Sequence, residues 1–192
     1  MIDAREQIKQ RLSVLVGLDL SGVGHAADML TLQFGPIREV TTKRETIKRV
    51  GAWSLHIQCG WTVEQGVTVL AAYRDFAASQ TSPRETTHRI RDLIVDNGPT
   101  VVQAIEVGDN GLVHIGLSRD VRISITTDGS SDEEDWRFFA SGSDAKHFVI
   151  TGGKVDPWSL RDGPSQTKSS GRKVTLLRTT VRTQGAKTRR SE

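Results

Sequence analysis

The chain of 192 residues contains one cysteine, so no disulfide can form within it, and a reducing, cytoplasmic setting is expected. No window approaches the ~18 consecutive apolar residues of a membrane helix. The opening Met1-Ile2-Asp3-Ala4-Arg5-Glu6 also has no apolar run of the kind a secretory signal needs, so no membrane role is expected. Paired metal ligands are missing as well. His25, His56, His88, His114 and His147 never fall into an HxxxH, HExxH or CxxC spacing, and the expectation is no metal and no cofactor. No aromatic residue lies beyond Trp158, so the C-terminal part lacks a platform on which bases of a single strand could stack.

The formal charge of +3 conceals a division. Residues 1–152 carry 16 Lys/Arg against 20 Asp/Glu, whereas residues 153–192 carry 10 against 3. The basic character therefore belongs to the C-terminal stretch. Nucleic acid could be met only there, through Lys168, Arg172, Lys173, Arg178, Arg182, Lys187, Arg189 and Arg190, and without base selectivity. Residues 153–192 are rich in Gly, Ser, Thr, Lys and Arg and read as a flexible tail, because so few aliphatic groups cannot offset the entropy of ordering. Val174-Thr175-Leu176-Leu177 is the part of it suited to pairing with a sheet edge.

Periodicity divides residues 1–152 into elements of a single domain. Ile8, Leu12, Leu15 and Val16 follow helical spacing up to Gly17. Residues 18–23 and 29–34 read as strands, the second with Leu30, Leu32 and Phe34 alternating with Thr31 and Gln33. The charged segment 37–50 reads as a loop. Ser82-Pro83-Arg84-Glu85 is a capping box with proline at the first helical position, and it predicts a second helix that ends at Asn97-Gly98-Pro99. Strands are expected at 67–73, 101–107, 112–117, 121–126, 136–139 and 147–150, with an acidic loop at 128–135. The predicted class is α+β: two helices on a mostly antiparallel sheet, followed by the disordered basic tail.

Residues 53–61 carry the candidate chemistry. Read as one regular strand, Trp53, Leu55, Ile57, Cys59 and Trp61 form a buried face, and Ser54, His56, Gln58 and Gly60 form a polar one. His56 and Cys59 then point apart, and Cys59 is a core residue rather than a nucleophile. A polar site could still assemble from His25, Asp28, His56, Gln58 and Asp75 if the fold brings them together. Gly22-Val23-Gly24-His25-Ala26-Ala27 imitates a dinucleotide-binding glycine motif, but a strand follows where that motif needs a helix, so it reads as a turn. Asp132-Glu133-Glu134-Asp135 lacks the spacing and glycine of a calcium loop. No residue is assigned a catalytic role.

Gly22-Val23-Gly24-His25-Ala26-Ala27-Asp28-Met29, the strand Ala52 to Trp61, Asp75, Asp135-Trp136-Arg137-Phe138-Phe139, Gly142-Ser143-Asp144 and Val149-Ile150-Thr151-Gly152 together resemble a family of small actinobacterial proteins with no established activity. The likeness spans most of 12–152. Members commonly have proline where this chain has Gly60 and end near Gly152, so the tail departs from the pattern. The resemblance implies a bacterial cytosolic protein of one domain and no mechanism. The expected function is non-catalytic interaction with a protein partner, of an accessory or immunity type. Small-ligand binding or catalysis around His25, His56 and Asp75 is the alternative, and tail contacts with nucleic acid are a third reading.

Overall fold

The computed structural model describes residues 3–41, 45–77, 82–127, 129 and 132–160. Helix α1 (Ala4–Leu12) starts where the Asp3 side chain accepts the Arg5 N–H, and it buries Ile8 and Leu12. A 3-10 turn then buries Leu15. Strands β1 (Leu20–Ala26) and β2 (Met29–Phe34) form a hairpin. The segment expected as a loop is also a hairpin, β3 (Arg38–Thr41) with β4 (Ile47–Val50). Its residues are mostly exposed on both faces, so the apolar alternation that marks a strand has no reason to exist there.

The run 53–61 is not one strand. It divides into β5 (Trp53–Ile57) and β6 (Gly60–Gln65), which belong to different sheets. The break is fixed from outside: the Asp135 carbonyl accepts both the Gln58 N–H at 2.7 Å and the Cys59 N–H at 3.1 Å. After β7 (Thr68–Ala72) and the single turn α2 (Arg74–Ala77) comes α3 (Pro83–Arg91), whose capping box forms as the sequence predicts. It runs on into a π-helical turn, Asp92–Asp96. The remaining strands are β8 (Val102–Val107), β9 (Val113–Leu117), β10 (Val121–Thr126), β11 (Glu134–Ala140), β12 (Phe148–Thr151) and β13 (Lys154–Val155).

Among the described residues all strand pairs are antiparallel, and the class is α+β as expected, with a third short helix. One sheet has the order β1-β2-β5-β11-β12-β13 and the other β7-β6-β10-β9-β8. Their inward side chains share one core, which includes Leu32, Leu55, Trp136 and Ile150 from the first sheet and Trp61, Val63, Ile115 and Ile123 from the second. The chain before β1 joins the two sheets, since Leu20 N–H donates to the Thr100 carbonyl and Val102 N–H to the Leu18 carbonyl. Helix α3 packs on β1 and β7, and α1 on β8 and β13, so each helix bridges an edge of one sheet to an edge of the other. The Arg91 guanidinium donates to the Val23 carbonyl of β1 at 2.9 Å.

The ordered body also continues past Gly152. Val155 and Lys154 pair with Ile150 and Thr151, and a 3-10 turn follows at Pro157–Leu160. Gly153 N–H donates to the buried Asp135 carboxylate at 2.7 Å. A glycine is required here: φ is +72°, and a Cβ would lie 2.7 Å from the Asn110 carbonyl oxygen. Val174 to Leu177 lie outside the described residues.

Candidate functional site

Residues opposite one another in a sheet share a face, so the pairing registers identify which side chains can meet. Leu30, Ile57, Trp136 and Ile150 form an inward row, as do Leu32, Leu55, Phe138 and Phe148. The residues between them face outward. Thr31, His56, Arg137 and Val149 make one outer row, and Gln33, Ser54 and Phe139 make a second.

On this outer face the Phe139 ring holds two imidazoles. His147 stacks on it with centroids 4.0 Å apart and planes 9° apart, and His56 meets it edge-on at 4.9 Å. The Arg137 guanidinium pairs with Glu134, and Gln58 Nε2 donates to the same Glu134 carboxylate at 3.0 Å. His56, Arg137, Phe139 and His147 are all half-buried. Burial, then the Arg137 charge, then His147 lower the His56 pKa from 6.5 to about 4. Burial and Arg137 also lower that of His147, against an opposing pull from Glu134. Both imidazoles are therefore neutral at pH 7, each offering one donor and one acceptor nitrogen beside an aromatic surface.

At the margin of this face, where the chain leaves one sheet for the other, lies a cleft of about 410 Å³ lined by Gln58, Cys59, Tyr73, Thr126, Glu133 and Asp135, among others. Cys59 is thus half-buried, packed against the core on one side and lining the cleft on the other, because the break after Ile57 ends the alternation that would have buried it fully.

The five residues expected to converge do not do so. His25 pairs with Leu30 and so has the inward parity, opposite to His56; it sits exposed at the end of β1, edge-on to Phe76 at 6.2 Å. Asp28 is exposed in the β1–β2 turn. Asp75 accepts the Ala72 N–H at 3.0 Å and pairs with Arg89 at 3.2 Å. His56 and Gln58 alone belong to the outer-face cluster, and they reach it through β11. Arg137, Phe139, His147 and Glu134 were missed; alternation with Trp136 and Phe138 places Arg137 and Phe139 outward, but only the register shows that they meet His56.

Elsewhere, Ser124 Oγ lies 2.8 Å from His114 Nδ1, with Glu106 opposite His114 on β8. Ser124 is only 9 % exposed, so this pair ties β9 to β10 and does not present a nucleophile. Among the described residues no group of three or more His, Cys, Asp or Glu could hold a metal ion, and no helix is long and apolar enough to cross a membrane. Comparison with protein-family models, curated proteins and solved structures finds no match to this chain.

Proposed function

We propose that this is a non-catalytic binding protein that recognises a protein partner through the outer face of its six-stranded sheet. The observation that carries this reading is the Phe139 ring flanked by two neutral imidazoles, beside Arg137, on a half-buried sheet surface. Aromatic and arginine side chains of this kind concentrate at the energetic centres of protein interfaces. The separation of His25, Asp28 and Asp75 from His56 speaks against a shared catalytic centre. The single cysteine supports a cytoplasmic setting, and the motifs that resemble the actinobacterial family support a bacterial protein of one domain.

The test is retention of a partner by immobilised full-length protein from a lysate of the source organism. A partner should be held by the wild type and by Arg122→Glu, on the outer face of the other sheet, but released by Phe139→Asp with its fold verified by thermal melting. Equal retention by both variants would refute the assignment. A second reading rests on the cleft beside Gln58 and Cys59, whose size suits a small ligand. Thermal stabilisation by a small molecule that protects Cys59 from alkylation would favour it.

A further inference from the structure

A two-stranded ribbon is marginal in water unless one of its faces is buried. In the β3–β4 hairpin Arg38, Glu39, Thr41, Ile47, Lys48 and Arg49 are exposed, and only Val40 and Val50 are half-buried. The ladder is nonetheless regular, from Arg38 opposite Val50 to Thr41 opposite Ile47, and it forms a sheet joined to neither of the larger ones. Val40 meets the body at Gly142, where an added Cβ would lie 2.6 Å from the valine Cγ1. The register puts Val40 and Val50 on one face and leaves the other, with Glu39, Thr41, Ile47 and Arg49, wholly exposed. Charge sets the hairpin apart as well. Residues 37–50 carry 5 Lys/Arg against 2 Asp/Glu, whereas the rest of 1–152 carries 11 against 18. Glu39 stands opposite Arg49, which offsets it, while Arg38 and Lys48 share the valine face, one on each strand, with no carboxylate on that face of the ladder.

We propose that this hairpin is a nucleic-acid arm that enters the major groove of a duplex. Two strands about 4.8 Å apart, with their side chains, fit a groove about 12 Å wide. The wholly exposed face turns to the bases, where Arg49 offers a fork for guanine and the methyl groups of Thr41 and Ile47 suit thymine. Arg38 on β3 and Lys48 on β4 each lie towards one wall of the groove and neutralise phosphates. A groove has two walls and a floor, which a ribbon open on both faces can meet together; an acidic protein surface calls for only one face. The rest of the body is acidic and repelled by phosphate, so a basic appendage is the part of it suited to approach a polyanion. The composition of residues 153–192 has the same preference. This inference goes beyond the partner face, since β3 and β4 belong to a separate sheet.

Fluorescence anisotropy of the full-length chain with a labelled duplex of about 20 base pairs, two helical turns, tests it. The variant Arg38→Gln/Lys48→Gln/Arg49→Gln is compared with Lys9→Gln/Arg84→Gln/Arg122→Gln, which removes the same charge at exposed sites elsewhere, each with its fold verified by thermal melting. The arm variant should bind the duplex about tenfold more weakly, with a log–log salt slope shallower by about 2 to 3, while the control stays within about twofold of wild type. On a single strand of the same length the arm variant and wild type should bind alike. No binding of the duplex by wild type at low salt, equal losses in the two variants, or an arm effect of the same size on the single strand each overturns the proposal. An arm effect reproduced with poly-glutamate also overturns it and assigns the hairpin to an acidic protein.

Discussion

Phe139 and His147 lie ring on ring, 4.0 Å apart and 9° from parallel, and His56 meets the same phenyl edge-on. One side chain of β11 thus holds an imidazole from β5 and another from the approach to β12, so the stack also clasps three strands on their outer side.

Its first consequence is a pH dependence. Unfolded, His56 titrates near 6.5, whereas the folded protein holds it at about 4. Between these values the unfolded state binds a proton that the folded state refuses, so stability present above pH 6.5 is lost as pH falls towards 4. The melting temperature should drop over this window less steeply in His56→Gln than in the wild type. Parallel curves would show that the site does not resist protonation.

Trp61 and Trp136 are buried and Trp53 is only half-buried, stacked on Phe138 at 5.1 Å. Trp61→Ala and Trp136→Ala should each cost about 3–5 kcal/mol, and Trp53→Ala markedly less. Denaturant midpoints establish the order, and equal losses for all three would contradict it.

Residues 154–160 belong to the body, so ending the chain after Gly152 removes β13 and the Gly153 bond to Asp135. A 1–152 chain should be less stable than 1–160 by on the order of 2 kcal/mol, from a few lost hydrogen bonds. Calorimetry of the two proteins decides it; coincident transitions would place the boundary back at Gly152.

Cys59 shares its cleft with Glu133, Glu134 and Asp135. Iodoacetamide should label the native thiol faster than iodoacetate does, by a ratio roughly threefold above that in urea, because the acidic wall repels the anionic reagent. The same ratio in both states would mean that reagent approaches from elsewhere.

Local chemistry made much of the fold legible. Ser82, Pro83 and Glu85 announce α3, and Val121, Ile123 and Ile125 announce β10, because caps and two-residue periods are written in neighbouring residues. The break at Gln58 and Cys59 was not legible, since its cause is the carbonyl of Asp135, 76 residues downstream of Cys59. The site was hidden for the same reason: His56 is conspicuous in the sequence, but its companions are supplied by the register of β5 on β11. The β3–β4 hairpin escaped because neither of its faces is buried deeply enough to impose a pattern.

The Arg91 contact with the Val23 carbonyl affects more than the packing of α3. Open-ended fibres need two complementary free margins on every molecule, so that each subunit recruited creates a place for the next. The Arg91 cation withdraws the β1 margin of the six-stranded sheet, and α1 packs on β8, the margin opposite β7 in the other sheet. The exposed start of β7, Thr68 and Val69, can therefore be kept without seeding polymerisation.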